Sequence, residues 1–225
     1  MGKLAVCFHK GEGVSQDLKE ALRWYHQAAE SGDVIAMSGL GACYSNGQGV
    51  SLDHAEGARW FRRAAERGDR VATLNLGSAL EAGRGVEKDV SEAVRWYQAA
   101  AEAGDPDAMV SLGVCFTRGT GVKQDHERAV ELYRMAADEG VAQALLNLAI
   151  CFANGLGVEK DEGEAFRLCK QAADAGLDEA MYKLGGLYES GIGIGKDPRE
   201  AMRWYRLAAA KGNASAAAQL LGARA

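Results

Sequence analysis

An all-α solenoid of six helical-hairpin units is the fold that three observations predict. A Gly-x-Gly-Val/Ile-x-x-Asp pattern recurs six times, with its second glycine at Gly13, Gly49, Gly85, Gly121, Gly157 and Gly193, each 36 residues after the last. Apolar residues between these turns follow the 3.6-residue period of an amphipathic helix, and no segment alternates as a strand would. The register carries no insertion or deletion. A period of this length marks units that bury their apolar faces only against their neighbours. One array over residues 1–225 is therefore expected.

The second unit shows how each element arises. Ala36, Leu40 and Tyr44 recur at i, i+4, i+8 and give a first helix one apolar stripe, flanked by Met37 and Gly41. Asn46-Gly47-Gln48-Gly49 ends that helix, because paired glycines reach the positive φ that reverses the chain. Asp53 then caps a second helix, and Glu56 three residues later suits a capping box. In the first unit the second helix carries Ala21, Trp24, Tyr25, Ala28 and Ala29 on one face. There, small alanines allow close approach while aromatics fill the gaps between layers. Gly32, Gly68, Gly104, Gly140, Gly176 and Gly212 end the second helices as left-handed caps. Pro106 and Pro198 fall near helix starts, where proline is tolerated. Glu20/Arg23, Glu56/Arg59, Glu92/Arg95, Glu164/Arg167 and Glu200/Arg203 are i, i+3 pairs; Arg128/Glu131 swaps both signs and keeps the pair. They read as a solvated outer face.

Composition narrows the function. A net charge of −5 argues against nucleic-acid binding, which needs a basic face. No apolar run approaches the roughly 20 residues of a membrane span, and residues 1–10 lack the apolar core of a signal peptide. Five cysteines occur, of which Cys7, Cys43, Cys115 and Cys151 share one repeat position. Stacked helices hold such positions about 8–10 Å apart, too far for a disulfide. Free, mostly buried thiols and a reducing, cytoplasmic setting are expected, with an upstream targeting segment left open. The histidines His9, His26, His54 and His126 are scattered without metal-ligand spacing, so neither metal nor cofactor is expected. Residues 190–197 resemble a phosphate loop, but Asp197 stands where that loop needs Ser or Thr, and the other units use the place as a turn.

The pattern Ala-x-x-x-Leu-Gly-x-x-Tyr-x-x-Gly-x-Gly-Val-x-x-Asp, followed by Ala-x-x-Trp-Tyr-x-x-Ala-Ala, resembles the Sel1-like repeat of the tetratricopeptide superfamily. Ala36, Leu40, Gly41, Tyr44, Gly47, Gly49, Val50 and Asp53 match its first half; Ala93, Trp96, Tyr97, Ala100, Ala101 and Gly104 match its second. The resemblance implies a right-handed α-α superhelical solenoid whose first helices line a concave wall. Leu132 and Leu168 depart from Trp, Cys169 from the following aromatic and Gly57 from Ala, which is expected to soften packing in the middle. The disulfide staple of the family's cysteine-rich members is absent.

On that wall Leu74, Val110, Val114, Leu146, Ile150 and Tyr182 make an apolar strip not needed by the core stripe, with Asn75 and Asn147 on its flank. Contiguous exposed apolar surface marks an interaction site. In tetratricopeptide relatives an asparagine at this place can bond a bound peptide's backbone. The expected function is a non-enzymatic scaffold that holds a protein or peptide segment. A purely architectural segment and a hydrolase on the same fold are the alternatives, although the chain holds no Ser-x-x-Lys or Lys-Thr-Gly. Both ends read as truncated repeats, with Phe8 and Leu220 at core positions and no polar cap, so head-to-tail self-association is expected as well.

Overall fold

The computed structural model describes residues 1–222; the last three residues of the expected 1–225 array lie outside the described residues. Among the described residues every regular element is a helix. The first helices of the hairpins are α1 (Gly2–Lys10), α3 (Val34–Asn46), α5 (Arg70–Ala82), α7 (Pro106–Arg118), α9 (Ala142–Asn154) and α11 (Asp178–Ser190). The second helices are α2 (Leu18–Glu30), α4 (His54–Ala65), α6 (Val90–Glu102), α8 (His126–Asp138), α10 (Glu162–Asp174) and α12 (Pro198–Ala210), and α13 (Ala214–Gly222) follows. They form two compact units: Met1–Ala108 with Thr120–Val122, and Met109–Gly119 with Lys123 onward. None of these helices is long and apolar enough to cross a membrane.

Local chemistry sets the hairpins. Asp17, Asp53, Asp89, Asp125, Asp161 and Asp197 each cap a second helix through the side chain, as with Glu56 N–H donating to Asp53 Oδ1 at 2.9 Å. The expected capping box forms only in this half. The backbone N–H of each capping aspartate instead donates to a carbonyl of the preceding first helix: Asp53 to Tyr44 at 2.9 Å, Asp161 to Phe152 at 2.9 Å. The turn brings that carbonyl close, so the glutamates are free to meet other side chains. Both turn glycines are left-handed, and the second also lies against the second helix before it. A Cβ on Gly121 would stand 2.5 Å from the Val90 carbonyl oxygen. Gly49 meets Leu18, Gly85 His54, Gly157 His126 and Gly193 Glu162 in the same way.

The Glu/Arg pairs close in five of the six places, from Arg23–Glu20 at 2.6 Å to Arg59–Glu56 at 3.2 Å. Glu92 is the exception. It binds Arg62 of α4 at 2.6 Å and accepts from Trp96 Nε1 at 3.1 Å. The hydrogen bond from Arg62 is the main reason its carboxyl lies below the usual carboxylate range, with burial opposing and Trp96 assisting. A depressed folded pKa stabilises the fold above the unfolded value of roughly 4.3, and that contribution is lost as pH falls through the folded one. Arg62→Gln should therefore lower stability above about pH 5 and leave the acid limb converging on the wild type. Urea unfolding at several pH values checks this; a constant offset down to the acid limit would show that Arg62 acts by packing alone.

Each core places a small residue of a first helix under a ring of the second. In the first unit Gly77 faces Tyr97, where a Cβ would stand 2.5 Å from the ring, and Gly41 faces Phe61. In the second unit Gly113 faces Tyr133 at 2.5 Å and Gly185 faces Tyr205 at 2.6 Å. Between these two repeats Ala149 and Cys169 occupy the paired positions, and both are buried. Here the ring is lost and the glycine beneath it gains a methyl, which occupies only part of the space a ring would take. Trp60 and Trp204 are core, whereas Trp96 is only half-buried and its neighbour Tyr97, 2% exposed, is the core ring. Cys169→Tyr should overpack this repeat by about 1–3 kcal/mol, and Ala149→Gly should recover part of that loss. Denaturant midpoints of the single and double variants test the pair; equal, additive losses would separate the two positions. Cys7, Cys43, Cys151 and Cys169 are free thiols, and burial pushes the Cys43 thiol up to about 11 and the Cys169 thiol up to about 12.

Candidate functional site

Taken unit by unit, the first helices place the expected strip as follows. In the first unit Leu74 is half-buried on α5 and Asn75 is exposed, its amide donating back to the Val71 carbonyl at 2.8 Å. In the second unit Val110, Val114 and Tyr182 are half-buried against the core, and Ile150 is 37% exposed. Leu146 departs from the expectation: it is 1% exposed and belongs to the core. The reason lies across from it. Tyr182, one repeat later, stands beside Tyr205 with ring centroids 5.6 Å apart. Cys169 holds the place of Tyr205 in the repeat of Leu146, and the volume a ring would take is open to the leucine. The strip is therefore interrupted on α9.

What the second unit offers instead is a niche of about 190 Å³, walled by Val114, Thr117, Tyr133, Asn147, Ile150 and Leu156. The first unit has a niche of about 140 Å³ at the same register, with Ala42, Ser45, Phe61, Asn75 and Arg84 at the corresponding places. Each is thus built from two successive first helices, the ring of the second helix between them, and the residue between the two glycines of the next turn. Sequence reasoning placed Val114, Thr117, Asn147 and Ile150 on this wall but missed Tyr133 and Leu156. Their signal is the repetition itself, two periods apart, with an aromatic kept in each copy.

The polar groups in the niche of the second unit are uneven. Thr117 Oγ1 donates to the Gly113 carbonyl at 2.9 Å and lies 3.1 Å from the Tyr133 hydroxyl. Gln143 Nε2 donates to Asn147 Oδ1 at 3.2 Å, which sets the orientation of that amide. Its other end, Asn147 Nδ2, is a buried donor with no hydrogen-bond partner among the described residues. A buried donor left unpaired costs about 1–3 kcal/mol. Burial is the main cause holding the Tyr133 phenol up at about 12, and it also raises the Cys151 thiol. Near neutral pH the niche therefore presents apolar surface and neutral hydrogen-bonding groups, with Arg118 at its edge. Of the histidines, His26 Nε2 lies 3.1 Å from the Tyr44 hydroxyl and His9 packs edge-on to Tyr25, so both serve packing.

Comparison with known proteins gives one family. The Sel1 repeat matches six times in succession, at residues 1–33, 34–69, 71–105, 106–141, 142–177 and 178–213. The chain is similar to a solved Sel1 repeat protein from Oxalobacter formigenes, with 36% identity and a TM-score of 0.87 over 92% of this chain and 83% of that one. It is also similar to c5321, a protective antigen of uropathogenic Escherichia coli strains with an SLR fold, at 36% identity and a TM-score of 0.81. That match covers 96% of this chain and 46% of the antigen, so the chain spans about half the antigen's length. No curated protein matches.

Proposed function

The chain belongs to the Sel1 repeat family, and from that premise we propose that it is a non-enzymatic scaffold holding a partner polypeptide against its first helices. Sel1 repeat proteins generally act as protein-interaction scaffolds. The observation that carries the finer reading is Asn147 Nδ2, a buried donor without a partner in a niche otherwise lined by Val114, Ile150 and Tyr133. A backbone carbonyl of an extended segment would satisfy it, while apolar side chains of that segment cover Val114 and Ile150. The matching niche of the first unit is more polar, with Ser45 and Arg84 in its walls and the Asn75 amide already donating to the Val71 carbonyl, so the niche at Asn147 is the one put forward. Tyr133 and Cys151, kept protonated by burial, supply neither base nor nucleophile, which favours a scaffold over a hydrolase.

A photo-crosslinking residue at Ile150, with one at the exposed Met135 as control, tests this in cells. A partner should be trapped at 150 and not at 135, and Asn147→Leu should abolish the trapping at little net cost in stability, since removal of an unpaired donor offsets the lost bond from Gln143. Equal trapping at both positions, or none, favours an architectural segment with no ligand on this face.

A further inference from the structure

Tryptophan stands at one register of the second helices in Trp24, Trp60, Trp96 and Trp204, and leucine in Leu132 and Leu168. The chain shows how it holds its own indoles. Trp24 Nε1 donates to Glu20 at 2.9 Å, and Arg23, bound to the same carboxylate at 2.6 Å, sits 5.2 Å from the ring centre. Trp96 Nε1 donates to Glu92 at 3.1 Å. Arg203 lies 5.7 Å from the Trp204 ring and Arg63 4.3 Å from Trp60, two buried indoles whose N–H groups have no hydrogen-bond partner among the described residues. In the repeat of Leu168 the equivalents of this apparatus remain. Glu164 takes two hydrogen bonds from Arg167, at 2.6 and 2.7 Å, and they hold its carboxyl below the usual carboxylate range. Arg134 stands where Arg62 meets Glu92 in the first unit. Beside them opens a groove of about 740 Å³ with Leu145, Phe152 and Leu168 in its walls.

We propose that this groove is a docking site for a tryptophan side chain presented by a partner polypeptide. An indole answers its three features together: the ring covers the leucines and Phe152, the N–H meets the Glu164 carboxylate, and the π face lies under a guanidinium. Trp24 is held by the carboxylate and the guanidinium of its own repeat together, and Glu164 and Arg167 are their equivalents here, so the site is matched to its occupant by that example. Buried tryptophan anchors of this kind dominate interface energies. The groove shares no residue with the niche at Asn147 and stands independently of it.

The test titrates the capped peptide Gly-Gly-Trp-Gly-Gly into the isotope-labelled full chain and follows backbone amide shifts, with Gly-Gly-Leu-Gly-Gly as the comparison. Saturable shifts confined to α8, α9 and α10 are expected with the tryptophan peptide alone. Leu168→Trp fills the groove with a residue the chain already uses at this register, and should abolish them. Glu164→Leu, a change at the half-buried rim, should weaken them and keeps the test informative if the first variant misfolds. Equal shifts with the leucine peptide, no shifts with either, or shifts that survive Leu168→Trp would overturn the proposal. Peptide-independent shifts that grow with protein concentration and vanish in Trp24→Phe would assign the groove to a second copy instead, overturning the partner-borne tryptophan.

Discussion

Gly157→Ala is expected to cost about 2–5 kcal/mol, while Gly140→Ala costs only about 1–2. Both glycines are left-handed, at φ of 67° and 85°. Alanine in that region carries a backbone penalty of about 1–2 kcal/mol at either site. The difference is what the new methyl meets. At Gly140 nothing lies within 4 Å, whereas at Gly157 it runs into the backbone of His126 and Glu127 at the start of α8. A helix backbone cannot swing aside as a long side chain can, so an overpacking term of about 1–3 kcal/mol is added. Urea unfolding of the two variants measures the gap. If both lose the same amount, the turn does not rest on the preceding helix, and the second glycine of the pattern is there for its φ alone.

That contrast also marks what could be read in the sequence. The turns and caps were legible because their chemistry is local. A glycine pair announces positive φ wherever it stands, and an aspartate three residues before a glutamate announces a helix start. The family, too, lies in those residues. What was not legible depends on a partner brought from elsewhere. Glu92, like Glu56, has an aspartate three residues before it and an arginine three after, yet Arg62 from another helix takes it. The second half of the capping box is replaced by carbonyls of Tyr44, Phe152 and their equivalents, which only the folded hairpin brings close. Of the candidate site, Asn147, Val114 and Ile150 were identified by register alone. Tyr133 is not singled out by register, which marks its position only as one of the inter-layer rings, because a ring can bury one edge and present the other.

Leu146 is the sharpest case, and Leu146→Glu against Ile150→Glu is the experiment it calls for. Register places both on the exposed stripe of one helix, four residues apart, and predicts that either change leaves stability nearly untouched. With Leu146 1% exposed and packed in the core of the second unit, its replacement by glutamate forfeits the burial of a large aliphatic side chain, about 2–5 kcal/mol. It also buries a carboxylate among apolar side chains, which adds to the loss or forces the group to take up a proton. Against a total stability of about 5–15 kcal/mol, that is enough to open the second unit. Ile150, 37% exposed, should tolerate glutamate to within about 0.5 kcal/mol while losing any partner held at the niche. A soluble, normally melting Leu146→Glu would mean that the leucine does face outward, and the volume left by Cys169 is then filled by something else.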